Sequence, residues 1–244
     1  MHYYKLTLEY DGTAYHGFQK QPHQLTIQGS IETALSDLTQ ETIKIIGAGR
    51  TDAGVHALGQ VAHFQLNKTI SKTELLRGVN ALLPYDIAVK KVEEVTASFH
   101  ARYGAKRKVY RYFIHNSAIR SPWKRQTSWH FGCPLDIAKM RKAAKSLLGT
   151  HDFTSLCATD NDAPDHIVDL FKISIFKKEE QIQITIMASR FLRYMVRNIV
   201  GLLVEIGRGK RDVNTIGQIL DGKDRRLAGP TAPPHGLFLV EVKY

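Results

Sequence analysis

Residues 42–66 read TIKIIGAGRTDAGVHALGQVAHFQL, and this stretch predicts the fold more directly than any other. Two segments rich in apolar residues, 42–46 and 60–66, are typical of strands. Between them lie three glycines within the eight positions 47–54, and glycine permits tight turns with positive φ. We therefore predict two strands flanking a glycine-rich loop that can hold a side chain out into a cleft.

The elements predicted on either side of this stretch follow one order twice. In the first hundred residues, alternating or helically spaced apolar residues predict strands at 3–10 and 86–92 and helices at 27–38 and 75–82. Together with the two strands above, the order is β-α-β-β-α-β. The later segments approximate the same order. They are strands at 106–114, 170–177, 181–188 and 237–243, and helices at 135–148, 191–206 and 212–220.

This order predicts an α+β fold of the sandwich type. We expect two ferredoxin-like β-α-β-β-α-β halves, residues 1–104 and 105–244, that share one extended antiparallel sheet. Because no long linker separates the halves, a central cleft between them is the natural place for a binding site.

The composition favours a polyanionic partner. Among 244 residues, 34 Lys and Arg stand against 23 Asp and Glu, which gives a net charge of +11. This excess favours nucleic acid, although a basic surface that only confers solubility would have the same composition. An anionic membrane is less well supported, because no polybasic run, lipidation signal or apolar span is present. Cys133 and Cys157 form no CxxC pair and no targeting segment is visible, so we expect the cytoplasm.

The glycine-rich loop carries the strongest candidate for catalysis, Asp52. Arg50 lies two residues before it, close enough for its charge to keep the carboxylate ionised, which suits a nucleophile or a general base. The alternative is a structural role, in which Asp52 caps a helix that starts at Ala53. His56 and His63 suggest a metal site, but their spacing of seven matches no established ligand pattern.

The strand predicted at 106–114 is a candidate surface for RNA. Alternation places Lys108, Tyr110 and Tyr112 on one face of this strand. Basic residues interleaved with aromatic residues suit phosphate contact and base stacking. Either tyrosine could instead pack in the core, which is the commoner role for a single tyrosine in a strand.

The helix predicted at 191–206 adds a group of arginines. Arg190, Arg193 and Arg197 follow one another at helical spacing on the side opposite an apolar stripe. They could track phosphates or form a solvated face. Because this helix follows directly after a strand, we expect its first turns to line the cleft, where Arg197 could meet Asp52 from the other half.

Several enzyme classes lack their sequence motifs. The chain has no GxGxxG or Walker-type phosphate loop, no GxSxG elbow, no HExxH pair and no zinc-deaminase or Cys–His protease signature. An enzyme built on Asp52 would need neither a nucleotide nor a metal. We therefore expect no cofactor.

Motifs spread along the chain occur together in one known family. The central motif is GRTDAGVHA at 49–57, followed by GQV and HF within 59–64. The other motifs are YDGT (10–13), YHGFQ (15–19), FHAR (99–102), YRY (110–112), GTHDF (149–153), MVRNIVG (195–201) and APPHGL (232–237). With this ordered series the chain resembles the tRNA pseudouridine synthase A family, and the series is far more specific than GRTD alone.

The resemblance implies a reaction, a substrate and a set of site residues. The reaction is the isomerisation of uridine to pseudouridine in the anticodon stem-loop of tRNA, at about positions 38 to 40, without a cofactor. The family's catalytic aspartate falls on Asp52, its base-stacking tyrosine on Tyr110, and its active-site arginines on Arg50 and Arg197. A homodimer that binds tRNA across both subunits is also implied. One departure is Leu156, which stands where the family usually has an aromatic residue.

Two other functions stay open from the residues alone. One is an RNA chaperone that binds and unfolds tRNA without catalysis, and an intact Asp52 with arginines at both matching positions argues against it. The other is a nuclease or metal-dependent hydrolase that would use Asp52, His56 and His63. Loss of activity in EDTA would identify such a hydrolase.

Overall fold

The computed structural model describes residues 1–160 and 163–244 of the chain. Within these residues the polypeptide forms ten strands and five α-helices, so the fold is α+β as predicted. The chain divides into two compact units. The first comprises Met1–Lys106 and Phe238–Tyr244, and the second comprises Arg107–Leu237.

The bounds of these elements agree with most of the predicted segments. The strands are β1 (His2–Tyr10), β2 (Ile46–Gly47), β3 (His56–Leu66), β4 (Ile87–Val95), β5 (Arg107–His115), β6 (Trp129–His130), β7 (Gly149–Asp152), β8 (Ile167–Lys178), β9 (Gln181–Ala188) and β10 (Leu237–Lys243). The helices are α1 (Ile27–Thr39), α2 (Lys72–Leu82), α3 (Ile137–Lys145), α4 (Met195–Gly207) and α5 (Thr215–Gly222).

The first unit is built around β1, which pairs antiparallel with both β3 and β4. Every second side chain of β1, from Tyr4 to Tyr10, is buried, as its alternating sequence predicts. Two helices pack with these strands. The side chain of Thr26 caps α1, and Ser71 and Glu74 form a capping box at the start of α2.

The strand predicted at 42–46 is wrong in its extent. Of that segment only Ile46 pairs with β3. The backbone of Ile45 is bonded instead to side chains of α1, because Glu32 accepts its N–H at 3.1 Å and Gln28 donates to its carbonyl at 3.2 Å. These bonds satisfy the groups that a strand ladder would have used.

The second unit contains β5, β9, β8 and β7 in that spatial order, with β6 beside β5. Helix α3 packs on β8 and on α4, and α4 is the most deeply buried helix of this unit. Asn198 of α4 is fully buried and donates to the carbonyl of Leu156 at 3.0 Å. Leu156, where the resemblance implies an aromatic residue, is itself fully buried and belongs to the core.

The helix predicted at 191–206 begins four residues later, at Met195. Tyr194 adopts a φ of 64°, a left-handed conformation that a right-handed helix does not contain. Arg190 and Arg193 therefore precede the helix. The predicted stripe of three arginines along one helix is wrong, and only Arg197 belongs to α4.

Strand pairing is mixed, since two pairs run parallel. In the first unit β10 is parallel to β3, and in the second unit β6 is parallel to β5. The chain reaches β10 after the helices α4 and α5, and a connection of this length permits parallel pairing. None of the helices in the described part of the chain is long and apolar enough to cross a membrane.

Candidate active site

Asp52 lies in a tight turn between β2 and β3. The backbone N–H of Val55 donates to the carbonyl of Asp52 at 3.1 Å, and Gly54 adopts a φ of 75° that favours glycine. The chain passes from this turn directly into β3, so no helix begins at Ala53. The interpretation of Asp52 as a helix cap is therefore wrong. In this turn Asp52 is half-buried.

The turn is held from the side by the segment that follows β1. The backbone N–H of Phe18 donates to the carbonyl of Thr51 at 3.0 Å. The preceding residue, Gly17, has a φ of 90°, and a Cβ at this position would lie 2.7 Å from the same carbonyl oxygen. Glycine is required here both by the backbone conformation and by the close approach. The YHGFQ motif thus fixes the backbone next to Asp52.

The buried side chains of Tyr10 and Gln60 hold the loop through hydrogen bonds. The hydroxyls of Tyr10 and Thr51 are 2.9 Å apart, and burial raises the pKa of Tyr10 to about 12, so its hydroxyl stays protonated near neutral pH. The amide of Gln60, which is fully buried in β3, donates to the carbonyl of Gly49 at 2.8 Å. A buried network with satisfied partners positions a loop more rigidly than surface contacts do.

Arg50 and Asp52 lie in the same loop, as predicted. Arg50 is exposed and Asp52 is half-buried. Two residues of separation keep their Cα atoms within about 7 Å of each other. The loop therefore holds a guanidinium and a carboxylate near one place on its surface.

The two histidines of the metal hypothesis have other contacts. The ring of His56 is buried, stacks on Phe238 with centroids 4.6 Å apart, and accepts from the backbone N–H of Gly12 at 3.1 Å. His63 accepts from the backbone N–H of Ala101 at 3.2 Å. In the residues that the structure describes, no group of three or more His, Cys, Asp or Glu could hold a metal ion. Asp52, His56 and His63, all described, are therefore not part of such a group.

Tyr110 lies in β5 of the second unit, opposite Ile186 of β9. Its side chain is 7% exposed and meets the ring of Phe191 edge to face, with centroids 4.9 Å apart. Tyr112 faces the same side of β5 and donates its hydroxyl to the carbonyl of Pro233 at 2.8 Å. Because Tyr110 is so well covered, a role in substrate binding has to be tested separately from a role in packing.

Arg197 lies in the first turn of α4. Its Nε donates to the carbonyl of Ala232 at 2.8 Å, and its guanidinium lies 4.8 Å from the centroid of the Tyr194 ring. The backbone of Ala232 returns a bond to Arg197 at 3.1 Å. The APPHGL motif therefore fixes the start of this helix and orients the arginine.

The other two arginines have ion pairs near the surface. Arg190 pairs with Asp165, and Arg193 pairs with Asp160. Both also precede the helix, so they are weaker candidates for the site than Arg197. Arg50 and Asp52 belong to the first unit, and Tyr110 and Arg197 belong to the second.

Sequence reasoning missed the residues that position the loop. Gly17, Thr51 and Gln60 belong to quoted motifs, but their spacing gives no sign that they meet around residues 49–55. A basic cavity in the second unit, formed by residues 115–130 with His235, was also missed. The concentration of Arg, Lys and His around Pro122 was the only sign of it in the sequence.

Comparisons with known proteins agree with this arrangement of motifs. A family model described as tRNA pseudouridine synthase matches residues 7–104 and 143–244. A protein named tRNA pseudouridine synthase A from Thermoanaerobacter sp. (strain X514) is 45% identical over 239 residues, which cover 98% of each chain. Proteins of the same name from Exiguobacterium sp. (strain ATCC BAA-1283 / AT1b) and Limosilactobacillus reuteri (strain DSM 20016) are 44% and 43% identical, over 98% and 100% of this chain and 97% of each relative.

Among solved structures, the archaeal box H/ACA sRNP Nop10-Cbf5 complex shows a distant likeness. The match covers 82% of this chain and 43% of that one, with 11% sequence identity and a TM-score of 0.38. The near-complete matches in sequence decide the family. The chain belongs to the tRNA pseudouridine synthase family.

Proposed function

We propose that this protein converts uridine to pseudouridine in tRNA and that Asp52 is its catalytic carboxylate. One observation carries the proposal. In a chain of this family, Asp52 lies half-buried in a turn whose backbone is held by Gly17, Thr51 and Gln60. A carboxylate on a rigid turn can be presented repeatedly in one orientation, which is what a nucleophile or base requires.

The reaction rearranges one bond without oxidation or reduction. The N1–C1′ bond of uridine breaks, the base turns over, and C5 bonds to C1′. C5 loses its hydrogen as a proton, and N1 ends with one. Asp52 can attack C1′ or C6 as a nucleophile, or it can remove the 2′ proton of the sugar so that a glycal forms. In each route the uridine has to leave its stack, because the base must rotate.

The remaining site residues have supporting roles in this proposal. Tyr110 stacks on the extruded base, for which aromatic contact contributes about 1–3 kcal/mol. Arg197, oriented by its bond to Ala232, is the second arginine proposed for the site. Arg50, on the same loop, offsets the negative charge of the Asp52 carboxylate.

Membership of the family suggests the position of the target uridines, the oligomeric state, the cofactor requirement and the compartment. The target uridines lie in the anticodon stem-loop, at about positions 38 to 40. The active form is a homodimer that binds one tRNA across both subunits, needs no cofactor and acts in the cytoplasm. The net charge of +11 supports a polyanionic substrate, although it does not distinguish one region of tRNA from another.

A direct experiment measures tritium release from tRNA that carries 5-³H-uridine. Purified protein without added cofactor should release tritium to water while the tRNA stays intact on a denaturing gel, and EDTA should not change the rate. Replacement of the uridines at positions 38 to 40 by cytidine should abolish release. Cleaved tRNA and inhibition by EDTA would support the hydrolase, and binding without release would support the chaperone.

A further inference from the structure

The second unit contains a basic cavity outside the residues assigned above. Its volume is about 430 Å³, and its lining includes the side chains of six basic residues. They are His115, Arg120, Lys124, Arg125, His130 and His235. Among the described residues no carboxylate lines the cavity, so these residues give it a positive charge at neutral pH.

The cations of this cavity are available to a ligand. Within the described residues, Arg120, Lys124 and Arg125 have no carboxylate within 4.0 Å, whereas the exposed Arg193, Arg208 and Arg226 each have one. Arg125 bonds only to the nearby carbonyl of Pro122, which leaves its charge uncompensated. Three unpaired cations around one cavity favour a bound anion, and a phosphate is the form that they match best.

A buried histidine, His115, lines the cavity, and one of its ring nitrogens has no hydrogen-bond partner among the described residues. His115 is 4% exposed, and its Nε2 donates to the carbonyl of Ile119 at 3.2 Å. Among the described residues, its Nδ1 has no hydrogen-bond partner. Glu180, whose Oε2 lies 4.0 Å from Nε2, is the carboxylate nearest to this ring. Because Nδ1 is itself buried, a ligand in the cavity does not contact it, and His115 serves to shape the wall of the cavity.

The three histidines that line the cavity do not form a metal-binding group among the described residues. The rings of His115 and His130 have centroids 5.8 Å apart, and His130 directs its Nε2 to the carbonyl of Ser117 at 2.9 Å. No group of the described residues has the arrangement of a metal centre. A bound anion fits the cations of the cavity better.

An exposed aromatic ring lies beside the same cavity. Trp123 is 93% exposed and lies in a short 3-10 helix, Pro122–Lys124, whose two other residues line the cavity. A tryptophan this exposed next to cations is a platform on which a nucleobase can stack. A phosphate held by the cations and a base stacked on the tryptophan would both belong to one nucleotide.

We propose that this cavity binds one nucleotide of RNA, with its phosphate on Arg120 and Lys124 and its base on Trp123. The cavity lies outside the candidate catalytic residues, so this nucleotide is a second anchoring point and not the uridine that reacts. The inference rests on the proposed tRNA substrate. It adds that the enzyme holds tRNA at a position apart from the target base.

The first test uses the unmodified protein. Lysine acetylation, read by mass spectrometry with and without unlabelled tRNA, should show Lys124 protected by tRNA. Lys142 and Lys145, exposed on α3, serve as internal controls and should react equally in both samples. Equal labelling of Lys124 with and without tRNA would overturn the inference. Protection by inorganic phosphate or uridine monophosphate but not by tRNA would also overturn it, because the ligand would then be a small anion.

The second test uses matched variants. Arg120→Ala with Lys124→Ala should weaken tRNA binding by at least about tenfold at low salt and reduce the salt slope by about 0.7–1.8, as expected for one or two lost phosphates. Lys142→Ala with Lys145→Ala removes the same charge and should leave affinity within about twofold.

Tritium release at saturating tRNA, measured on the same samples, separates the two proposals. If the wild-type protein releases tritium normally and the cavity variant binds tRNA as tightly as its control, only the cavity proposal is overturned. Absence of release by the wild-type protein would overturn the proposed function, whatever the cavity variants do.

Discussion

Gly12 lies against the peptide group of Val55, at the end of the turn that carries Asp52. A Cβ on Gly12 would lie 2.7 Å from the carbonyl carbon of Val55 and closer still to its oxygen, nearer than real Cβ atoms approach. The N–H of Gly12 also donates to Nδ1 of His56, the first residue of β3. The YDGT motif therefore positions the loop of Asp52 through backbone contact, which explains why these separated motifs occur together.

Gly12→Ala should damage the site through the backbone of the loop. The new methyl group meets a carbonyl that belongs to the turn, so either the turn or the segment after β1 has to move. We expect a loss of about 1–3 kcal/mol in the free energy of unfolding, as for other overpacked positions, and a larger fractional loss of turnover than of tRNA affinity. Urea unfolding and tritium release would measure both effects.

Gly217→Ala is the matched control for this prediction. Gly217 lies in α5, and a Cβ there meets no atom within 4 Å. The same substitution should therefore stabilise the protein by up to about 1 kcal/mol through helix propensity and leave turnover unchanged. A Gly12→Ala protein as stable and as active as Gly217→Ala would contradict the positioning role of Gly12.

Tyr110 substitutions should separate stacking, proton transfer and packing. If the ring only stacks on the base, Tyr110→Phe keeps most activity and Tyr110→Ala loses it. If the hydroxyl also handles a proton, Tyr110→Phe binds tRNA normally and turns over poorly. Because Tyr110 is buried against Phe191, we expect Tyr110→Ala to lower Tm by several degrees as well, in line with a core truncation of about 3–5 kcal/mol.

The control for Tyr110 is a tyrosine without packing. Tyr85 is fully exposed, so Tyr85→Ala should leave Tm unchanged. Melting temperature, tRNA affinity and single-turnover rate should be measured on all three variants. A stable Tyr110→Ala protein that binds tRNA and turns over at a near-normal rate would remove Tyr110 from the site.

The affinity for tRNA should fall steeply with salt. Each phosphate neutralised by the protein contributes about −0.7 to −0.9 to the slope of log K against log salt concentration. With a net charge of +11 and an additional basic cavity, we expect a slope of about −3 or steeper, which corresponds to four or more phosphates. Filter binding between 50 and 200 mM salt, a range of about fourfold, would measure it. A flat profile would mean that the basic excess serves solubility only.

Asp152 should contribute stability that is lost in acid. Desolvation raises the pKa of this carboxyl, but the hydrogen bond from Thr154 and the pairing with Lys223 at 2.9 Å outweigh it and lower the pKa to about 2. A lowered pKa stabilises the folded state above the unfolded value of about 4 and loses that contribution as pH falls toward 2. After allowance for the exposed lysine, we expect about 1 kcal/mol.

Urea unfolding of Asp152→Asn across this pH range tests the linkage. The difference in free energy from wild type should be constant above about pH 5 and vanish toward pH 2. Asp37→Asn, at an exposed position of α1, is the control. A difference at Asp152 that does not change with pH would contradict the assigned cause.

The sequence predicts most of the fold because local periodicity and final packing agree. Strand β10 was predicted over its full length, and β1 and α1 differ by one residue at an end. The strand at 42–46 was overestimated because Gln28 and Glu32 bind the backbone of Ile45, a long-range effect that periodicity does not contain. The start of α4 was misplaced because a left-handed Tyr194 has no sequence signal comparable to glycine.

The candidate site was predictable only in part. Asp52 and Arg50 share a short motif, so their proximity follows from the sequence. The contacts of Gly12 and Gly17 with the loop join residues about forty apart, and the basic cavity brings His235 next to residues 115–130. Such relationships arise from tertiary packing, and composition or spacing does not report them.

The most direct measurement compares wild type with Asp52→Asn in single-turnover tritium release. With protein in excess over 5-³H-uridine tRNA, wild type should release tritium, and Asp52→Asn should be slower by at least about a thousandfold. Its tRNA affinity should stay within a few-fold of wild type. Asp52→Ala, which cannot revert to aspartate by deamidation, should behave in the same way. Release by either variant within about tenfold of the wild-type rate, with normal folding and binding, would contradict the assignment of Asp52 as the catalytic carboxylate.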